Sequence, residues 1–351
     1  MKKYLFKFIL FTFTLSSLKS FSLESSQETS THITNPTTIR AAIDIGSGAT
    51  KLRIAKIDLT KNETQKILFS QSFAVPYQDC LENSSNNTFD QKIMQIGLET
   101  IKKCKEIAQE NGASKVIAIA TASFRQASNN NEFTHKIFEE TNVPIYIIDQ
   151  NLEAQLSFKA VIERLKTPEK NIITWDIGGG SLQITAFSSP GKYLIYRGNY
   201  ASVPFKNDII KNIQEKDPKF SDSPNPMKEK EMNLARFKAR KAAADVEELI
   251  FKKIQQKKSR IIGVGSIFNY GIRPLIKKHL TFSRRTLLQI VKNLKNLSDN
   301  ELGNSDFVNV SISNPILILG FMEMLDIHKV HILDVNNADG ALTYEEFWKE
   351  V

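Results

Sequence analysis

The chain has 351 residues, of which 41% are hydrophobic and 24% are charged, and its formal net charge is +9. These values are ordinary for a soluble globular protein, and the length allows two domains or one large one. Beyond the first residues, no apolar stretch is long enough to span a bilayer. The mild basicity suits an anionic ligand but does not identify one.

The first residues have the pattern of an export signal. Two lysines precede an apolar run over residues 4–18, and Ser20 and Ser22 occupy positions −3 and −1 of a cleavage site. This pattern predicts a secretory signal peptide over residues 1–22 and a periplasmic or secreted protein, with an uncleaved amphipathic anchor as the alternative. Residues 23–38, rich in Ser and Thr, are expected to be a disordered leader.

The first half of the remaining chain alternates strands with helices. Apolar alternation and helical spacing predict strands over 41–44, 51–58, 67–75, 115–120 and 145–149, with a helix over 90–110. Strands separated by helices indicate a largely parallel sheet with covered faces.

The pattern then restarts at residue 171. Three strands are predicted over 171–176, 182–187 and 192–196, followed by a long basic helix over 227–258, a buried helix over 314–326, a strand over 330–335 and a closing helix over 342–350. We therefore expect one lobe from residues 39–152 together with 340–351, and a second lobe from residues 153–339.

A glycine turn occurs twice, once in each predicted lobe. Asp44-Ile45-Gly46-Ser47-Gly48-Ala49-Thr50 matches Asp176-Ile177-Gly178-Gly179-Gly180-Ser181-Leu182. In both copies a buried strand ends in Asp, glycines turn the chain and a new strand starts. Glycines let successive backbone N–H groups converge on phosphate oxygens, and an aspartate at the strand end can hold hydrated Mg²⁺. A pair of such turns predicts a phosphate clamp across a cleft.

The two turns resemble the phosphate loops of the superfamily of actin, sugar kinases and heat-shock chaperone ATPases. Within it, the chain is most similar to the exopolyphosphatase and guanosine pentaphosphate phosphohydrolase family, over residues 39–347. Besides the turns, four segments carry the likeness: Ala120–Asn129, Ile147–Ala154, Gly263–Ser266 and Ala338–Leu342. The resemblance implies an α/β, two-lobed actin-like (ribonuclease H-like) fold with a ligand cleft between the lobes.

The resemblance also implies a chemistry, namely Mg²⁺-dependent hydrolysis of terminal phosphoanhydride bonds in polyphosphate or a phosphorylated nucleotide. Glu153 corresponds to the base that activates water and Arg125 to a residue that neutralises phosphate charge. Asp44 and Asp176 would hold the metal. The expected phosphate-binding residues are Gly46, Ser47, Gly48, Gly178, Gly179, Gly180, Ser181, Gly265 and Ser266.

Several positions depart from the family pattern, among them three in or beside the glycine turns and the C-terminal segment Thr343-Tyr344-Glu345. Gln183 stands where a carboxylate is usual near the metal and the attacking water, and Gly48 and Ala49 replace two polar residues. An amide binds Mg²⁺ more weakly than a carboxylate and cannot act as a base. Two function classes therefore remain: a phosphoanhydride hydrolase, and a non-catalytic sensor or binding protein that kept the phosphate clamp.

The sequence says less about other partners and about the oligomeric state. We expect no nucleic-acid ligand, and membrane contact only through the signal peptide. A homodimer is compatible with the sequence, which does not fix the oligomeric state or the substrate's chain length. Cys80 and Cys104 could form a disulfide after export, or Cys104 could be a buried free thiol on a helical face with Leu98 and Ile101.

Overall fold

The computed structural model describes residues 36–277, 279–303 and 305–349. The predicted signal peptide lies outside the described residues, as does the leader up to residue 35. The first strand begins at Thr37, so the last residues of the expected leader belong to the fold instead.

Five strands form the first sheet, in the order β3-β2-β1-β4-β5. They are β1 (Thr37–Ile45), β2 (Ala49–Asp58), β3 (Glu63–Ala74), β4 (Lys115–Ala120) and β5 (Ile145–Ile147). β1 pairs antiparallel with β2 and parallel with β4. The apolar side chains of β1 and β4 are buried because helices cover the sheet, as the run of Ala and Ile predicts.

The helices of this half are α1 (Tyr77–Asn83), α2 (Gln91–Glu110), α3 (Ala122–Gln126), α4 (Asn130–Thr141) and α5 (Gln150–Leu165). α2 begins where the side chain of Asp90 accepts a hydrogen bond from the amide of Ile93. α5 runs across the predicted lobe boundary between residues 152 and 153, and that boundary stays a prediction.

Six strands form the second sheet, in the order β10-β11-β9-β6-β7-β8. They are β6 (Ile172–Ile177), β7 (Leu182–Ser189), β8 (Lys192–Gly198), β9 (Arg260–Val264), β10 (Thr281–Ser283) and β11 (Lys329–Ile332). β6 pairs antiparallel with β7 and parallel with β9, so it occupies the place in this sheet that β1 has in the first.

The second half is mainly helical outside its sheet. Its helices are α6 (Ser202–Asn212), α7 (Glu229–Ala243), α8 (Glu248–Ile254), α9 (Arg273–Leu275), α10 (Arg284–Asn293), α11 (Asp299–Leu302), α12 (Ser313–Met324) and α13 (Asn337–Ala341). The buried helix α12 packs on α7 at Gly320, where an added Cβ would lie 2.5 Å from Cβ of Ala239.

Two of the predicted helices are wrong. The basic stretch 227–258 forms two helices, because Val246 turns into the core, where it is 8% exposed, and no Gly or Pro marks the break. The closing helix predicted over 342–350 does not form in its described part: the short α13 ends at Ala341, and only a 3₁₀ turn over Glu345–Phe347 follows.

The last described residues pack on the first sheet. Ala338, Ala341 and Leu342 share a buried cluster with Ala42 of β1 and Ala55 of β2. The guanidinium of Arg53 on β2 forms an ion pair with Asp339 of α13. None of the helices in the described ranges combines the length and the apolar character that a membrane crossing requires.

The cysteines do not form a disulfide. Cys80 and Cys104 are both free thiols. Cys104 is fully buried on α2, and its burial raises its pKa to about 12. Of the two alternatives for Cys104, a disulfide or a buried free thiol, the structure therefore has the free thiol.

Candidate functional site

The two glycine turns lie against each other. A Cβ added to Gly179 would be 2.9 Å from Cβ of Ser47 and 3.1 Å from the backbone nitrogen of Gly48. Gly180 is as close, since its Cβ would lie 2.9 Å from Oγ of Ser47. Real Cβ atoms do not tolerate the shorter of these contacts, so glycine at position 179 lets the two turns meet.

Each turn is closed by the same hydrogen bond. The amide of Gly46 donates to the carbonyl of Ala49 at 3.0 Å, and the amide of Gly178 donates to that of Ser181 at 2.8 Å. The sequence repeat is thus a repeat in three dimensions. Backbone amides of glycine turns can bind an anion in the space between them.

Two aspartates lie near the ends of the strands that lead into the turns. Asp44 is the next-to-last residue of β1 and Asp176 the next-to-last residue of β6, and both are buried. Oγ of Ser157, one helical turn beyond Glu153 on α5, donates to Oδ2 of Asp176 at 3.0 Å. Gly265 lies directly over the other oxygen, because a Cβ there would be 2.5 Å from Oδ1 of Asp176 and its φ is +82°.

Glu153 points from the first turn of α5 into the same space. The side chain of Asp149 caps this helix by accepting from the amide of Leu152, so Glu153 is not needed as the cap. Glu153 is 5% exposed. Its Oε1 accepts from Oγ of Ser181 at 3.3 Å, and its Oε2 lies 2.9 Å from Nη1 of Arg125.

The pKa of Glu153 is raised to about 7. Burial is the largest cause, because it disfavours the charged carboxylate. Arg125 opposes the rise, while the nearby carboxylates of Asp176 and Asp44 add to it. A carboxyl group that titrates near neutrality can accept a proton under ordinary conditions.

Lys51 is a cation beside the first turn. Its Nζ lies 3.1 Å from Oδ2 of Asp44 and 3.8 Å from where a Cβ on Gly46 would be. Burial lowers the pKa of Lys51, but attraction by Asp44 and Asp176 outweighs burial and leaves the pKa above its ordinary value. Lys51 is not among the site residues predicted from the sequence.

The groups converge on a small cavity of about 20 Å³, room for about one water molecule. Its lining contains most of the predicted site residues: Asp44, Gly46, Ser47, Gly48, Glu153, Asp176, Gly178, Gly179, Ser181 and Ser266.

Four predicted residues do not line the cavity but contact or pair with residues that do. Gly180 packs on Ser47, Gly265 covers Asp176 and Arg125 pairs with Glu153. Gln183 on β7 is the direct cross-strand partner of Asp176 on β6. Its side chain is 1% exposed, and its Nε2 has no hydrogen-bond partner among the described residues.

Three further lining residues with polar side chains were not predicted: Lys51, Thr121 and Asn337. Lys51 could have been found, because a hairpin that pairs Ile45 with Thr50 also pairs Asp44 with Lys51. Thr121 and Asn337 are brought in by distant segments. Nothing local in the sequence marks them.

Comparison with known proteins gives a family match over part of the chain. Residues 53–192 match the Ppx/GppA phosphatase family. A bifunctional 3-dehydroquinate synthase/phosphatase of Fusobacterium nucleatum subsp. nucleatum is 30% identical over 162 residues, which are 44% of this chain and 24% of that protein. The family resemblance predicted from the sequence is confirmed over these residues. The match spans about a quarter of the length of that curated relative.

Solved structures of Ppx/GppA proteins share the fold. A family member from Aquifex aeolicus aligns with a TM-score of 0.64 at 19% identity, over 90% of this chain and 100% of that one. An exopolyphosphatase from Cytophaga hutchinsonii aligns with a TM-score of 0.69 at 19% identity, over 89% and 99%. The predicted α/β, two-lobed actin-like fold is therefore confirmed.

The side chains around the cavity suit a divalent cation that is bound partly by a ligand. They suit a cation bound by protein side chains alone less well. Within the described ranges, no cluster of three or more His, Cys, Asp or Glu side chains is arranged to hold a metal. However, Oδ1 of Asp44 is buried with no hydrogen-bond partner among the described residues. Mg²⁺ typically binds one or two carboxylates and completes its shell with water and substrate phosphates. Asp44 and Asp176 match that donor set.

Proposed function

We propose that the chain is a Mg²⁺-dependent phosphoanhydride hydrolase that releases the terminal phosphate of polyphosphate or a guanosine pentaphosphate-like nucleotide. The observation that carries the proposal is the buried Glu153 beside two glycine turns that meet at Ser47 and Gly179. This arrangement supports the proposal, because a carboxylate suited to act as a base lies next to glycine turns suited to bind phosphate oxygens. The export signal predicted at the N-terminus favours polyphosphate over a cytoplasmic nucleotide.

In the proposed reaction, Glu153 takes a proton from a water molecule as the water oxygen bonds to the terminal phosphorus. The bridging P–O bond breaks, and the shortened chain leaves with the electron pair of that bond. Arg125 holds the Glu153 carboxylate in place through their ion pair. Phosphoryl transfer depends mainly on such positioning and on charge stabilisation, so no covalent intermediate on the protein is needed.

The charge of the site supports the proposed metal. Three carboxylates, Asp44, Glu153 and Asp176, line the cavity, while the positive charge comes from Lys51 and from Arg125 behind Glu153. A polyanion entering this site meets net negative charge from the side chains. A bound Mg²⁺ would neutralise charge on the transferring phosphoryl group, and Asp44 and Asp176 would hold it.

One assay tests the proposal. Purified protein is incubated with polyphosphate, guanosine pentaphosphate or ATP, with Mg²⁺ or with EDTA, and released phosphate is measured. We expect Mg²⁺-dependent release from at least one of the first two substrates, on the order of tenfold or more above the EDTA value. Ligand binding without release from any substrate would support the sensor alternative, which Gln183 motivates.

The pH dependence of turnover gives a second test. Because the pKa of Glu153 is about 7, the fraction able to accept a proton rises as the pH rises through that value. We expect kcat/KM, which reports the pKa of the free enzyme, to increase from pH 6 to pH 8 with a midpoint near 7 and then to level off. A rate that is flat over this range, with an unchanged KM, would rule out Glu153 as the titrating base.

A further inference from the structure

The two sheets end in edge strands of different character. β5 and β10 have three residues each, and β8 carries Lys192 and Arg197. β3 is twelve residues long, and no strand in the described ranges pairs with its outer edge. Sheet edges are usually kept from pairing with other chains by short strands, charged side chains or prolines. The edge formed by β3 is therefore the exception among the four.

The second part of β3 has none of these protections. Residues 67–74 contain no charged residue and no proline. The pairing with β2 is regular from Phe69 to Ala74, and both irregularities of this ladder lie at earlier residues of β3. Because bulges bend and twist an edge away from a partner, the regular stretch is the part best able to accept another strand.

Two phenylalanines stand at this edge. Phe69 and Phe73 pack against the core of the first sheet but are only partly buried. Gln71, between them on the same face of β3, is exposed. Aromatic side chains stabilise a protein in proportion to the apolar area they bury, so a strand added at the outer edge would gain from covering both rings.

The sequence around Gln71 reads the same in both directions, as Phe69-Ser70-Gln71-Ser72-Phe73. An antiparallel copy of β3 centred on Gln71 places each phenylalanine opposite a phenylalanine, each serine opposite a serine and Gln71 opposite itself. Aromatic pairs and hydroxyl pairs stabilise neighbouring antiparallel strands. Because a two-fold dimer needs a self-complementary surface, this symmetry favours a second copy of the chain over an unrelated strand.

We propose that the chain forms a two-fold dimer in which β3 pairs antiparallel with β3 of a second copy, centred on Gln71. The pairing joins the two five-stranded sheets into one ten-stranded sheet. Peptide groups on the outer edges of the two strands hydrogen bond to each other, and the phenylalanines become buried between the subunits. The dimer does not depend on the proposed function, because no residue of β3 lines the cavity.

A charge placed at the two-fold axis tests this surface. Gln71→Lys puts two ammonium groups opposite each other, and Gln71→Glu does the same with two carboxylates. Each variant alone is expected to raise the dimer Kd at least about tenfold in sedimentation equilibrium, because like charges repel at short range. An equal mixture of the two variants is expected to form heterodimers more tightly than either forms homodimers, a recovery that misfolded variants would not show.

The matched control is Gln256→Lys, which changes an exposed glutamine in the second half of the molecule. Its dimer Kd should stay within about twofold of the wild type, because charges far from the interface are screened by salt. A wild type that stays monomeric up to its solubility limit would overturn the inference. So would a Gln71→Lys variant that dimerises as tightly as the wild type, because the dimer would then use another surface.

A disulfide tests the register of the two strands. Cys80→Ser first removes the partly exposed native thiol. In that background, the two Gln71→Cys positions face each other with Cα atoms about 4.5–5.5 Å apart, a distance that a disulfide spans. We expect oxidised glutathione to link this variant into covalent dimers.

The control for the register is Gln65→Cys, at an exposed position on the same strand. Its two copies lie about 40 Å apart when the strands are centred on Gln71, so they should not be linked. Linking of Gln65→Cys in place of Gln71→Cys would mean a different register. Either that result or linking of neither variant would contradict pairing about Gln71.

Discussion

Glu153→Gln is expected to lower kcat on the order of 10²-fold or more while leaving the affinity for polyphosphate within a few-fold of wild type. Removing a general base costs this much because the attacking water keeps its proton for longer along the reaction path. Binding survives because the glycine turns are untouched and the amide of Gln nearly matches the carboxyl group in volume. The measurement is single-turnover phosphate release together with equilibrium binding of the same substrate.

The control for this experiment is Glu106→Gln, which changes an exposed glutamate on α2. It should leave both kcat and affinity unchanged. The pH profile provides an independent readout, since the residual rate of Glu153→Gln should lack the rise near pH 7 expected of the wild type. Equal kcat values for Glu153→Gln and wild type would mean that Glu153 serves only the start of α5.

The strands at the site could be predicted because their signals are local. Apolar alternation and the glycine repeat located β1, β2, β6 and β7, and the strand ends placed both aspartates correctly. The family resemblance selected Glu153, whose position in the first turn of a helix would otherwise suit an ordinary favourable interaction with the helix dipole. The helix cap turned out to be Asp149, which leaves the Glu153 side chain free to face the cavity.

The remaining features depend on contacts between distant segments. Thr121 is held next to the first turn by a hydrogen bond to the carbonyl of Ile45, and Asn337 comes from α13 near the end of the chain. The closing helix was mispredicted for a similar reason. The end of the chain forms a short helix and a 3₁₀ turn packed on the first sheet, where burial outweighs the local helical preference.

Arg53→Met is expected to destabilise the protein by about 3–5 kcal/mol. The guanidinium of Arg53 is buried, with Nε 3.1 Å from Oδ2 of Asp339 and Nη2 2.8 Å from Oδ1 of Asp334. Asp339 is 6% exposed, so loss of Arg53 leaves a buried carboxylate without its nearest cation. The same aspartate accepts from the amide of Asn336 at the start of α13, so this helix should loosen first. Urea unfolding curves would measure the loss.

The pH dependence of that loss identifies its cause. Burial raises the pKa of Asp339 and Arg53 lowers it, so the stabilisation due to Arg53 is present above that pKa and disappears as Asp339 becomes protonated. The difference between wild type and Arg53→Met should therefore shrink as the pH falls through the acidic range. Arg53→Met with Asp339→Asn should recover much of the stability at neutral pH, and Arg285→Met, at an exposed position, should cost little. A loss of equal size at every pH would show instead that Arg53 stabilises this segment through packing and not through its charge.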